Sequence, residues 1–132
     1  MRTILKIPLS HLKDRLSLLS DGTLDVVHFK LLVENVIEAE IFKLPHCRLD
    51  IPRIFGRPYL NNVEWIIKET QLQRTLVIET KNWLLNEINV LFPTDKIGSL
   101  SSIVFDLDGW FVTIGFHYDN TRLQAGSLAF AL

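Results

Sequence analysis

Ser102-Ile103-Val104-Phe105-Asp106-Leu107-Asp108-Gly109-Trp110-Phe111-Val112-Thr113-Ile114-Gly115-Phe116 is the stretch on which the fold turns. Two runs rich in β-branched and aromatic residues flank Asp108-Gly109, a dipeptide suited to the positive φ angles of a type I′ turn. A two-residue loop there pairs Leu107 with Trp110, Phe105 with Val112 and Ile103 with Ile114. Side chains alternate along a strand, so these six share one apolar face. The other face sets Asp106 opposite Phe111 and Val104 opposite Thr113, a mixed and half-wet surface. A slip of one residue would turn the apolar set into water, so the register is well specified.

Working outward, the carboxyl-terminal side continues with a polar turn from His117 to Arg122. A small-residue, apolar segment from Leu123 to Leu132 then reads as a third strand of a β-meander. On the amino-terminal side a long helix over about 62–92 is expected. Polar residues recur there at Glu64, Lys68, Gln71, Thr75, Glu79, Asn82, Asn86 and Asn89, in steps of three and four. Asn61 and Glu64 resemble a capping box, and the β-prone Thr75–Ile78 run makes a break near 70–75 the most probable irregularity. The buried side would carry Val63, Ile66, Ile67, Leu76, Trp83, Leu84, Ile88 and Leu91.

Upstream, residues 2–7 suit a short edge strand closed by Pro8. Ser10 is placed to cap a helix over 11–20 that Gly22 stops. Its stripe of Leu9, Leu12, Leu16 and Leu19 fits either a membrane-surface helix or a helix lying on a core, and the small domain favours the core. Asp25 is placed to cap a second helix over about 26–43, with Phe29, Leu32, Val33, Val36, Ile37 and Ile41 inward and Lys30, Glu34 and Glu38 outward. Its β-prone opening, Val26-Val27-His28-Phe29, leaves a strand as the alternative there. The fold class is therefore α+β, a single globular domain with two or three long helices on one face of a small antiparallel β-meander.

The chain has 132 residues, 48% hydrophobic and 22% charged, with a formal net charge of −1. Such a balance supplies no global field for nucleic acid or anionic membrane. One cysteine excludes an internal disulfide, and no apolar run reaches bilayer length. Charged Lys13, Asp14 and Arg15 interrupt any signal-peptide core, so a cytoplasmic location is expected.

Phe105-Asp106-Leu107-Asp108-Gly109 resembles the nucleophile loop of the haloacid-dehalogenase phosphatases. The resemblance implies a nucleophilic Asp106, a general-acid Asp108 and a doubly wound parallel sheet. The family's pattern continues with Thr, where this chain has Trp110, and its later motifs need more chain than the 23 residues after Gly109. Turn stereochemistry accounts for the same residues, and a plain hairpin is the preferred reading. His46-Cys47 are adjacent, but a nucleophile needs its base adjacent in space. His11, His28, His46 and His117 show no ligand spacing. No metal, cofactor or catalytic constellation is implied, and the chain reads as a non-enzyme.

Residues 45–60 carry the strongest binding signature. Arg48, Arg53 and Arg57 are interleaved with Phe55 and Tyr59 among prolines, a composition common at interface hot spots. These five residues are the expected partner contacts, with Phe111 on the far face of the hairpin as a sixth. The function this favours is a small cytosolic protein-binding module, with inhibitor or immunity proteins that neutralise a toxin or effector as one class of this size. The alternatives are a small-ligand or nucleic-acid binder using the 45–60 loop, and an Asp-dependent phosphatase-like hydrolase.

Overall fold

The computed structural model describes residues 2–44 and 63–118, with backbone alone for 63–70 and Thr94. In chain order the elements are β1 (Arg2–Pro8), α1 (Ser10–Leu19) and α2 (Val26–Asn35), which runs into a π-helical stretch (Val36–Ile41). Then follow α3 (Val63–Leu91), a 3₁₀ turn (Thr94–Lys96), β2 (Ile97–Asp106) and β3 (Phe111–Tyr118). The strands form an antiparallel sheet in the order β1-β3-β2, with the helices packed on one face. This is the α+β architecture expected from the sequence.

The central strand takes its neighbours from opposite ends of the chain. β2 pairs Phe105 with Val112, Ile103 with Ile114, Val104 with Thr113 and Asp106 with Phe111. β1 pairs Leu5 with Ile114, Ile7 with Val112 and Pro8 with Phe111. The predicted edge strand at 2–7 is thus β1, and Pro8 stands at its end, where a missing N–H is tolerated. β1 fills the second edge of β3. The third strand expected at 123–132 lies outside the described residues.

The turn differs from the expected type I′. The loop is four residues, Leu107–Trp110, so Leu107 and Trp110 are loop residues and not a strand pair. Gly109 does not take positive φ; Trp110 does, at 55°. The physical reason lies on both sides of the loop. Asp106 Oδ1 accepts the Gly109 N–H at 3.1 Å, tightening the first half. The Trp110 carbonyl accepts the Leu9 N–H at 2.7 Å. Its ring packs edge-on against Phe29 at 5.9 Å and lies under Lys13 Nζ at 4.2 Å. A bulky residue in the left-handed region costs about 1–3 kcal/mol and persists where its surroundings hold it.

Leu9, and not Ser10, occupies the N-cap of α1, with no side-chain cap bond. Its fully buried side chain and its bond to Trp110 place it there by tertiary contact. The helix ends in a Schellman motif: Gly22 N–H reaches Ser17 O at 2.8 Å and Asp21 N–H reaches Leu18 O at 3.2 Å. Asp21 and Gly22 both take positive φ, so glycine serves the stop assigned to it. Asp25 caps α2 as expected, accepting the His28 N–H at 2.8 Å, and Val26-Val27 open a helix and not a strand.

α3 is continuous over 29 residues, without a break at 70–75. Leu76, Leu84 and Ile88 are buried and Gln71, Thr75, Asn82, Asn86 and Asn89 exposed, following the helical repeat. Leu91 departs from expectation, being exposed at the helix end. Thr80 is buried because its hydroxyl donates to Leu76 O at 2.7 Å, leaving no unsatisfied group. The core gathers Leu12 and Leu16 of α1, Phe29, Leu32 and Val33 of α2, and Leu5, Ile7, Val112, Ile114 and Phe116 of the sheet. Phe92 closes it, edge-on to Phe116 at 5.5 Å and to Tyr118 at 5.0 Å. The leucine stripe of α1 is accordingly a core stripe, with Leu19 at its margin half exposed. No helix among the described residues is long and apolar enough to cross a membrane.

Candidate functional site

Strand alternation gives the sheet a second face, turned away from the helices. The pairings set its rows: Ile4, Gly115 and Ser102; then Lys6, Thr113 and Val104; then Pro8, Phe111 and Asp106. Ile4 is 70% exposed and Val104 59% exposed, at two large apolar side chains on opposite flanks of β3. Phe111 is half-buried, with Lys6 Nζ 4.2 Å from its ring centroid. A cation over an aromatic face contributes about 0.5–1 kcal/mol at an exposed site and fixes the ring's pose.

Gly115 is buried in the middle of this face, beneath the side chains of Ser101 and Ser102. A Cβ built there would run into Ser102 Oγ and approach Ser101 Oγ to 3.0 Å, so glycine allows the two serines to lie across the central strand. The result is a shallow, mostly flat platform: aliphatic at Ile4 and Val104, aromatic at Phe111, hydroxylated at Ser102 and Thr113. Charge sits at its margins, with Arg2 and Lys6 on β1 and Asp106 on β2. Single exposed apolar residues are common on protein surfaces; here two of them share one sheet face with an aromatic ring and with charge at the margins, a combination that suits a protein-docking surface.

Of the residues singled out in the sequence, Phe111 falls on this platform. Arg48, Arg53, Phe55, Arg57 and Tyr59 lie outside the described residues, as does Cys47. Asp106 closes β2 and is hydrogen-bonded to the turn it precedes, while Asp108 is exposed in the loop. They stand at a hairpin of an antiparallel sheet and not at the end of a parallel strand, the setting the phosphatase resemblance implies. Ile4 and Lys6 were not recognisable as site residues, because only the pairing of β1 with β3 brings them onto the face that Phe111 shares.

A cavity of about 140 Å³ lies where α1, α2 and α3 meet, bordered by Ser20, Thr23, Asp25, His28, Gln73 and Leu76. His28 Nδ1 is 2.9 Å from Asp25 Oδ1, two members of a hydrolase-like triad. The nearby hydroxyls do not complete it. Ser20 Oγ donates to Ser17 O at 3.3 Å and Thr23 Oγ1 to Ser20 O at 2.6 Å, so both serve the helix ends. The His28 backbone N–H holds the Asp25 carboxyl below its ordinary pKa, with the imidazole adding to that effect. No group of three or more His, Cys, Asp or Glu side chains able to hold a metal occurs among the described residues.

Comparison with protein-family models, curated proteins and solved structures gives no match.

Proposed function

We propose that this protein is a binding module without a catalytic role, which docks another protein on the open face of its sheet. The observation that carries the reading is the exposure of Ile4 and Val104 on either side of the central strand that bears Phe111, on the face the helices leave uncovered. Apolar side chains of that size gain about 1.5–3 kcal/mol each on full burial, so covering them is the cheapest way to improve the surface. The polar surround, Ser102, Thr113, Lys6 and Asp106, supplies the rim that a specific contact needs. A small cytosolic inhibitor, of the kind that neutralises a toxin or effector, suits a rigid platform presented by a helical layer. The basic, aromatic segment containing Arg48, Arg53, Phe55, Arg57 and Tyr59 is proposed as a second contact on sequence grounds alone.

The experiment compares tagged wild type with Val104→Glu in recovering a partner from native lysate, with thermal melting as a folding control. A glutamate in the middle of the platform should reduce partner recovery by about tenfold or more while leaving the melt unchanged. Equal recovery by the folded variant would refute the docking face. Charge reversal at Arg53 and Arg57 tests the loop separately; unchanged affinity removes it.

A further inference from the structure

We propose that the same platform seats a second copy of this chain, sheet against sheet, about a two-fold axis running parallel to β3. The inference rests on the reading of the platform as a docking surface and names one occupant for it.

Charge divides the two flanks of the platform. Arg2 and Lys6 project from β1, at one edge of the sheet; Asp106 lies on β2, at the other edge, with Asp108 just beyond it in the loop. None of these four belongs to an ion pair among the described residues. The platform is therefore basic along one flank and acidic at one end of the other, with Phe111, Thr113, Gly115 and His117 of the central strand between them.

Two sheets can face each other about a dyad that runs across the strands or along them. A dyad across the strands lays β1 over the partner copy's β1 and brings Lys6 and Arg2 toward their own kind. A dyad along β3 lays β1 over the partner copy's β2. Only the second is electrostatically self-complementary, and an isologous contact repeats each favourable pair twice.

The register then defines the contacts. Lys6 and Val104 share a cross-strand row, so the Lys6 stem of one copy lies over Val104 of the other. The ammonium reaches one row further, to Asp106 of that copy. Residues of β3 face themselves across the axis, which brings the two Phe111 rings together. Ile4 lies over Ser102 of the other copy, whose hydroxyl fills the space above Gly115. Sheets stack about 10 Å apart, a gap that facing side chains fill, and twist sets the two β3 strands about 30° apart with the two-fold axis bisecting that angle, close to the strand direction.

Area limits the strength. Three strands spaced about 4.8 Å apart, with about 3.3 Å per residue, give a flat face on the order of 350 Å² per copy. A stable interface takes about 800 Å² per partner. The dimer is therefore weak, fills only with rising concentration, and gives way to a partner that covers more surface.

Sedimentation equilibrium of the full chain at low salt, over a wide concentration range, tests this. Wild type should rise from the 15.2 kDa monomer toward twice that mass. Lys6→Asp and Asp106→Lys should each weaken association about tenfold, and the double swap should restore it to within about threefold of wild type. Where Asp106→Lys disturbs the turn, Asp106→Asn keeps an acceptor for Gly109 and should still weaken the dimer. A monomer at every concentration, or a double swap no better than either single change, overturns the inference. If the chain stays monomeric while Val104→Glu still loses a partner protein, self-association fails and the docking reading stands. If Val104→Glu leaves both properties unchanged, both fall.

Discussion

The two faces of the sheet are built from alternate residues of the same three strands, yet they have opposite fates. On the helix side, Leu5, Ile7, Val112, Ile114 and Phe116 are buried to 6% exposure or less. On the other side, Ile4 and Val104 remain more than half exposed. The difference teaches where each face's sequence requirement comes from. The helix side must fill space at close packing, and the register follows from it. The open side is relieved of that demand, so its apolar residues contribute little to folding and remain available for contact.

The contrast is sharpest between the buried residues of β3 and the exposed residues of the strands beside it. Phe116→Ala should cost about 3–5 kcal/mol, and Ile114→Ala about 2–5 kcal/mol, through lost burial and an unfilled cavity. Chemical denaturation measures both. Val104→Ser and Ile4→Ser should change stability by no more than about 0.5 kcal/mol, as exposed substitutions do. A loss of several kcal/mol at Val104 would mean that the open face is a second core and would break the comparison.

Gly115 is the exception that sharpens it. It lies on the open side, yet Gly115→Ala would force Ser102 and Ser101 aside. A cost of about 1–3 kcal/mol is expected from such overpacking, recovered in part when Ser102 is also changed to Gly. Denaturation midpoints of the single and double variants test this, and the absence of any coupling would show that the serines yield freely.

The smallest effect concerns the helix layer. The Asp25 carboxyl is held below its ordinary pKa by the His28 N–H it accepts. A group whose folded pKa is depressed adds stability above its unfolded pKa and loses that contribution as pH falls through the folded value. The melting-temperature advantage of wild type over Asp25→Asn should therefore shrink below about pH 4. An advantage that persists or grows in acid would contradict the cap's ionised role.

Much of this fold was legible because local and tertiary preferences agree. The three- and four-residue polar steps of α3, the Asp25 cap, the Gly22 stop and the Ile103/Ile114 and Phe105/Val112 pairs all follow from period and stereochemistry. The turn was not legible for the opposite reason. Asp108-Gly109 has the local signature of a two-residue loop, but Trp110 is drawn into the left-handed region by Leu9, Lys13 and Phe29, all remote in sequence. The N-cap of α1 moved to Leu9 through the same contact. The candidate site was half legible. Val104, Asp106 and Phe111 share a face by alternation alone, whereas Ile4 and Lys6 join them through a pairing between opposite ends of the chain.

Reactivity of a thiol placed on the platform tests the central claim most directly. In a Cys47→Ser background, Val104→Cys should react with maleimide at nearly the rate of an unfolded thiol in dilute protein. Bound partner, or a high concentration of the chain itself, should slow it by about tenfold or more, since opening a bound interface precedes attack. Slow labelling in the dilute free chain, or a rate indifferent to partner and concentration, would contradict the assignment of this face to recognition.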